Sequence, residues 1–179
     1  MNDTQWPRWE VFKQDTPNKP HQAVGTVHAA DPEHALLNAR NVFVRRPKAV
    51  SLWVVRADEI FSMTAEELAE NAGWAEEEAQ DEGPSQAYAI FQKASHRHSM
   101  TFMDYVGEVE ASTTRQALVQ AIATFTDPPA LAWWVVPLAA IVRSEPEVVE
   151  SWFAPAADKT YKQQSAYGFV RAESKNKGD

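Results

Sequence analysis

Two groups of residues in this chain have the spacing of partial metal-binding motifs. Asp31 and His34 show an acidic-x-x-His spacing, but di-iron carboxylate sites need paired motifs on long facing helices and further carboxylates. Because Asp31 directly precedes Pro32 at a helix start, N-capping explains the same residues. His96 and His98 would share one face of a strand, yet no third ligand lies at a suggestive spacing. We therefore predict no bound metal and an exposed loop at His96–His98.

The rest of the sequence is poor in catalytic motifs. It contains no cysteine, which excludes disulfides, cysteine-ligated zinc and a thiol nucleophile, and which fits a reducing cytosol. It has no Gly-x-Ser-x-Gly motif and no glycine-rich loop for a phosphate or a dinucleotide. We therefore expect no cofactor and no catalytic centre in this chain, so its candidate functional residues are those suited to recognition.

A basic cluster lies at the end of the first predicted helix. Its members are Arg40, Arg45, Arg46 and Lys48. These side chains could simply interact with the helix dipole and remain solvated. They could also form a cationic patch for carboxylates of a partner, since arginine offers a planar fork of donors. The second half of the chain lacks the cluster and has Ile122 in place of Arg40, an asymmetry that favours recognition.

The aromatic residues fall into two groups. Trp53 and Trp134 sit inside apolar strands and are expected in the core, while Trp133 must face the opposite side of its strand. We expect Trp133 either between modules or on a surface for another chain. Trp6, Trp152 and Phe153 flank the modules, where large aromatics often anchor a partner; packing back onto their own module is the alternative.

The elements that position these residues follow from local patterns. Trp9–Phe12 has the composition of a strand, and a second strand is predicted from Gln22 to Ala29, with Val24, Thr26 and His28 on one face.

Asp31 then caps a helix that ends near Arg45–Arg46, because Pro47 disfavours helical geometry in the preceding residue. The predicted buried stripe of this helix is Ala35, Leu36, Ala39, Val42 and Phe43. A third strand is predicted at Ser51–Val55, and Thr64 with Glu67 predicts a short capped helix through Asn71.

The whole pattern then occurs a second time. The stretch from Val24 to Ala29 returns as Val106–Ala111, the helix returns from Thr113 with Gln116 as a plausible capping box, and Trp53-Val54-Val55 returns as Trp134-Val135-Val136. Apolar positions are kept while polar ones drift, as expected for one buried framework built twice.

The repeat predicts an α+β fold of two tandem β-β-α-β modules, each an antiparallel sheet with one packed helix, forming a pseudo-two-fold dimer in one chain. We expect the first module at residues 1–68, an acidic linker at 69–86, the second module at 87–150 and a C-terminal segment with a frayed tail at 151–179. The sequence leaves open whether the modules share a continuous sheet or pack face to face.

Charge and hydropathy limit the partners. The formal net charge is −8, and the stretch from Ala57 to Gln92 holds ten acidic residues without lysine or arginine. With no concentrated basic stripe, nucleic acid is a poor partner. No secretion signal is recognisable, and the longest apolar stretch, Pro129–Val142, is too short to span a bilayer. We expect a cytoplasmic protein that does not enter membranes.

The first copy resembles the PaaB family, the small non-catalytic subunits of bacterial phenylacetyl-CoA epoxidases. The matching stretches are Trp6-Pro7, Glu10-Val11-Phe12, Val24-Gly25, His28-Ala29-Ala30-Asp31, Ala35-Leu36, Asn38-Ala39-Arg40, Arg45-Arg46, Ser51 and Trp53-Val54-Val55. After the second copy, Phe153-Ala154-Pro155-Ala156 with Lys159 and Tyr161 resembles the carboxyl-terminal segment of that family. Family members are usually single modules, so this chain resembles a tandem duplication of one.

The resemblance implies an iron-free assembly subunit that links the helical di-iron catalytic subunit and the helical structural subunit of an aromatic-CoA ring oxygenase in phenylacetate catabolism. The candidate partner-binding residues are Arg40, Arg45, Arg46, His28, Trp6, Trp152, Phe153 and Tyr161. Two alternatives remain. A small-molecule-binding or enzymatic protein like the dimeric α/β barrels would have a pocket between the modules, with His28 and Glu110 facing inward. A self-assembling structural protein would form homo-oligomers.

Overall fold

The computed structural model describes residues 5–44, 49–71, 73, 83–96, 102–145, 147 and 151–154. Its helices and strands are, in chain order, β1 (Arg8–Gln14), β2 (Gln22–His28), α1 (Pro32–Phe43), β3 (Ser51–Arg56), β4 (Phe61–Thr64), α2 (Ala65–Glu70), β5 (Gln86–Lys93), β6 (Asp104–Ala111), α3 (Thr114–Thr124), β7 (Ala132–Pro137) and β8 (Val142–Arg143). Residues 151–154 are also helical. In the described part of the chain, no helix is both long and apolar enough to cross a membrane.

The predicted α+β fold is confirmed, with strand, strand, helix and strand occurring twice in the same order. The structure adds one element to each copy that sequence patterns did not predict. A single 3₁₀ turn, at Ala57–Glu59 in the first copy and at Leu138–Ala140 in the second, leads directly into a short further strand, β4 or β8.

The short strands cross from one module to the other. All strands belong to one sheet with the order β4-β7-β5-β6-β2-β1-β3-β8. Strand β4 follows the first module but pairs with β7 of the second, and β8 follows the second module but pairs with β3 of the first. Each module therefore completes the sheet edge of the other.

The modules also meet through main-chain hydrogen bonds between β2 and β6. Ala23 N donates to Met103 O at 2.8 Å, and Tyr105 N donates to His21 O at 2.8 Å. The sheet is therefore continuous across the module boundary. It also curls back on itself, because the faces turned away from the helices pack against each other in one shared core.

This central core is built from aromatic residues of both modules. Phe12 and Phe91, at equivalent positions in β1 and β5, stack with their ring centroids 4.1 Å apart. Trp53 is buried there as predicted, and Trp134 is half-buried against the same cluster. Trp133 is 4% exposed and lies in the cluster beneath α3, where Phe61, Met63 and Leu68 of the first module pack against it. Of the two expected positions, it therefore takes the one between modules, beside the crossing strand β4. Alternation along β7 places Trp134 toward the centre and Trp133 toward the helix of its own module.

The helices cover the outer faces and begin where the sequence predicts. The Asp31 side chain accepts a hydrogen bond from His34 N at 2.8 Å, and Thr64 and Glu67 form the predicted capping box. Thr113 caps α3 by accepting a hydrogen bond from Gln116 N at 3.1 Å, and the Gln116 side chain accepts one from Ser112 N at 3.1 Å.

Helix α1 ends earlier than predicted, at Phe43 with Val44 as C-cap. Arg45, Arg46 and Pro47 lie outside the described residues. Val42 was predicted in the buried stripe but is 56% exposed, because the stripe is centred on Ala35, Leu36, Ala39 and Phe43 and leaves Val42 at its margin.

A β-bulge in β2 overturns the predicted facing of that strand. Val11 pairs with Gly25 and Phe12 pairs with Ala23, so Val24 is the extra residue of a bulge. Ala23 faces the central core, whereas Val24 packs toward α1. The bulge changes the alternation, and the prediction that Val24 shares a face with Thr26 and His28 is wrong. Strand β6 has the same shift at Val106.

Each bulge contains a glycine that the repeat keeps. Gly25 has φ +141° and Gly107 has φ +155°, a region that L side chains rarely adopt. A Cβ on Gly25 would lie 2.9 Å from Phe43 Cζ, and one on Gly107 would lie 2.7 Å from Phe125 Cζ. The glycines therefore allow the bulged strands to pass close to the phenylalanine at the carboxyl-terminal end of each helix.

We predict that Gly25→Ala and Gly107→Ala each lower the free energy of unfolding by about 2 kcal/mol, because both backbone strain and a ring clash result. Urea denaturation followed by circular dichroism measures this. Gly73→Ala is the control, since nothing lies within 4 Å of a Cβ built there. Equal stability of all three variants would contradict the account.

Candidate partner-binding surface

One group of candidate residues meets at the amino-terminal end of α1. His28 is exposed, and its Nδ1 lies 2.9 Å from Trp6 O. The Trp6 ring is 55% exposed and meets the His34 ring edge-on, with the centroids 4.8 Å apart. Asn38 Nδ2 donates to His28 O at 3.2 Å. We call Trp6, His28, His34 and Asn38 the Trp6 patch. Its exposed indole and imidazole offer both apolar area and hydrogen-bonding groups.

The second module does not repeat this surface. Ser85 precedes β5 as Trp6 precedes β1, and Glu110 replaces His28, with Ser85 Oγ and Glu110 Oε2 3.5 Å apart. Gln116 stands where the first module has His34. Because the framework folds with either set of side chains, the aromatic and imidazole groups of the Trp6 patch are not required by the module itself.

A second group fastens the chain segment after β8 to the first module. Arg40 Nε donates to Trp152 O at 3.0 Å, and its guanidinium lies 5.8 Å from the centroid of the Trp152 ring. Phe153 is 8% exposed and belongs to the core beneath α1. These contacts match the alternative in which flanking aromatics pack back onto a module. A partner contact by Arg40 and Trp152 stays a prediction.

The remaining candidates lie elsewhere. Arg45, Arg46, Lys48, Tyr161 and His98 are outside the described residues. Asp31 is occupied as a helix cap, and His96 is exposed. Within the described ranges, no three His, Asp or Glu side chains are grouped closely enough to hold a metal ion. The absence of a metal remains a prediction.

The space between the modules is not a polar pocket. His28 and Glu110, which the barrel-like alternative places inward, are both exposed. These side chains therefore do not line an enclosed pocket, and the helix-free faces between the modules are filled by the aromatic core.

A cavity of about 530 Å³ does lie at the seam between β2 and β6. Its charges already pair with each other: Lys13 Nζ lies 2.8 Å and Lys19 Nζ 3.5 Å from the Asp15 carboxylate. The side-chain hydrogen bond from Lys13 contributes most to lowering the pKa of Asp15. The second carboxylate, Asp104, accepts a hydrogen bond from Gln22 Nε2 at 2.7 Å. The charged groups of the seam cavity are thus already ion-paired or hydrogen-bonded within the chain.

Two buried polar side chains were not recognised from the sequence. His21 stacks on Trp53 with a centroid distance of 3.6 Å, and its Nε2 lies 2.9 Å from Ser51 Oγ. Burial, followed by the positive charge of Arg143, lowers the pKa of His21 to about 4, so this ring is neutral at pH 7.

Glu10 is the second such residue and is 6% exposed. Its Oε2 has no hydrogen-bond partner among the described residues, and burial raises the pKa of its carboxyl despite the nearby charge of Arg8. The sequence repeat contains an indication that Glu10 is buried. Glu10 shares a strand face with Phe12, and the second copy has the small apolar Ala89 at the equivalent position.

Fold and surface together define the class of this protein. It is a covalent pseudo-dimer of a small α+β module with a shared aromatic core, and Trp6 and His28, two of its candidate functional groups, are exposed.

Comparison with known proteins gives the family. The sequence model of the Phenylacetic acid degradation B (PaaB) family matches residues 5–80 and again residues 85–174, so the chain belongs to the PaaB family. A 70-residue stretch is 43% identical to a subunit of the 1,2-phenylacetyl-CoA epoxidase of Escherichia coli (strain K12), covering 39% of this chain and 74% of that protein. No solved structure matches significantly.

We predict that Phe153→Ala lowers the free energy of unfolding by about 3 kcal/mol, because it empties a buried site. Trp6→Ala should lower it by less than about 1 kcal/mol, since the ring is more than half exposed. Urea denaturation of both variants provides the measurement. A larger loss from Trp6→Ala than from Phe153→Ala would show that the Trp6 patch is structural.

A further prediction concerns pH. The folded state raises the pKa of Glu10, so its ionisation opposes folding above that pKa, and the cost disappears as pH falls below the unfolded value. Glu10→Gln should therefore raise stability by about 1 kcal/mol at pH 8 and by less near pH 4. Urea denaturation at both pH values tests this, with the exposed Glu70→Gln as control. The same stability difference at both pH values would count against a penalty for burying the Glu10 carboxylate.

Proposed function

We propose that this chain is a non-catalytic assembly subunit of a phenylacetyl-CoA ring epoxidase acting in phenylacetate degradation in the cytoplasm. The observation that carries the proposal is the double match to the PaaB family within one chain, together with a relative that is named as part of such an epoxidase. In this proposal the chain contributes no iron, no cofactor and no catalytic group.

Its task in the complex is to bridge the helical di-iron catalytic subunit and the helical structural subunit. The pseudo-two-fold arrangement supports this role, because it presents two helix-covered outer faces in a fixed relation. Leu37 of α1 and Val119 of α3, at equivalent positions, are both exposed apolar side chains on these faces. Joining the two modules covalently removes the entropic cost of bringing separate copies together.

We assign the more specific contacts to the first module. The Trp6 patch supplies an exposed aromatic ring and an exposed imidazole, the kind of groups enriched in interface hot spots. Arg40, Arg45 and Arg46, with Trp152, Phe153 and Tyr161, complete the proposed partner-binding set. We also propose the module bounds 1–68 and 87–150, joined by the acidic stretch 69–86.

A reconstitution experiment tests the function. We expect the purified chain to co-migrate with the catalytic and structural subunits in gel filtration, and epoxidation of phenylacetyl-CoA to require its addition. The double variant Trp6→Ala/His28→Ala should weaken binding at least about tenfold, since it removes a cluster of contact groups at once. The matched control is Ser85→Ala/Glu110→Ala at the equivalent positions of the second module.

Three results would contradict the proposal. The first is failure of the unmodified chain to co-migrate with either subunit. The second is iron or turnover in the isolated chain. The third is formation of large homo-oligomers by the isolated chain in light scattering, which would favour a self-assembling structural protein.

A further inference from the structure

Arg143 lies at an open cavity of about 520 Å³ that the proposed contacts do not use. The lining residues come from the start of β5, from the 3₁₀ turn after β7, from the residue that follows this turn and from β8: Gln86, Ala87, Leu138, Ala139, Ile141 and Arg143. Apart from Arg143 and the amide of Gln86, these side chains are apolar. The cavity thus presents one cationic group on an aliphatic wall.

The Arg143 guanidinium is held in place before any ligand arrives. In the β3–β8 register Arg143 lies opposite Trp53, and its guanidinium carbon is 4.6 Å from the centroid of the Trp53 ring. That indole is itself fixed, with His21 stacked on it and the Tyr105 ring edge-on at 5.3 Å. A stacked planar guanidinium loses less rotational freedom when it binds a carboxylate than a free side chain does.

Nothing within the described residues neutralises this charge. Arg143 forms no ion pair there, whereas Arg56, also exposed, pairs bidentately with Asp58. The two titratable side chains whose pKa the charge of Arg143 lowers, His21 and Tyr105, are uncharged at pH 7. His21 is neutral, and burial with help from the Glu108 hydrogen bond raises the pKa of Tyr105 to about 12. The guanidinium therefore keeps its donors and its charge available.

The fold does not require an arginine at this position. In the pseudo-symmetric strand pair, β4 and β7, Ser62 lies opposite Trp134 as Arg143 lies opposite Trp53. The same exchanged-strand geometry thus forms with a small neutral side chain. Arg143 is therefore not one of the framework residues that both copies share.

We propose that this cavity binds an acidic side chain of a partner subunit, with the carboxylate paired to Arg143 and the aliphatic stem against Leu138 and Ile141. The assignment rests on the proposed assembly function. A small anion would need a site that encloses most of its surface, and this cavity is open to solvent. An exposed, ordered arginine beside apolar residues is instead typical of a protein–protein hot spot.

Titration calorimetry of the chain against the catalytic and structural subunits tests the assignment. Arg143→Ser introduces the side chain that the equivalent position, Ser62, already has. It should weaken binding to one subunit at least about tenfold, because an interfacial charge pair is lost. Arg143→Lys keeps the charge but not the planar fork and should give an intermediate loss. Arg56→Ser is the control, because its guanidinium is already paired within the chain. Near-UV circular dichroism verifies that each variant is folded.

The outcomes separate this inference from the proposed function. Binding by the unmodified chain with no change in Arg143→Ser or Arg143→Lys would overturn the role of Arg143 and leave the assembly function intact. A tenfold loss of affinity that becomes smaller in about 0.5 M salt would support the charge pair, because salt screens the attraction between exposed ions. Absence of binding by the unmodified chain would overturn the assembly function and this inference together.

Discussion

Phe12 and Phe91 occupy equivalent positions in the two modules and stack on each other with their ring centroids 4.1 Å apart. This contact closes the interior, because it brings the helix-free faces of both half-sheets together around a common aromatic core. Among the described residues, aromatic rings fill the space between the two helix-free faces, and the helices cover the opposite faces. Recognition must then use the outer surface and the rims where the modules join.

The exchanged strands connect the two half-sheets in addition to the aromatic core. Since β4 completes the second module and β8 completes the first, neither module has its full sheet edge without the other. Gly25 and Gly107 add a matched constraint, because both bulges depend on the absence of a Cβ beside Phe43 and Phe125. The shared core and the exchanged edges thus explain why the repeat keeps its apolar and glycine positions. One copy cannot change its packing without disturbing the other.

Outside these constraints the two modules have diverged, and the differences are concentrated at exposed positions. The first module presents an aromatic and imidazole surface where the second has a serine and a carboxylate, and a stacked arginine faces Trp53 where a serine faces Trp134. A duplicated scaffold that keeps its interior and varies its exterior can hold two different partners in a fixed relation. This property agrees with membership of the PaaB family and with the proposed assembly role.

Sequence alone determined the repeat, the α+β class, the helix starts at Asp31, Thr64 and Thr113, and the resemblance from which the contact residues were drawn. These features depend on local spacing and capping, which neighbouring residues decide. Tertiary structure decided the rest. Periodicity cannot reveal a bulge that changes the facing of β2, nor which distant strand a four-residue segment such as β4 will pair with. The burial of Glu10 and the stacking of Arg143 on Trp53 likewise depend on strands that are distant in sequence, and such long-range contacts carry no local signal in the chain.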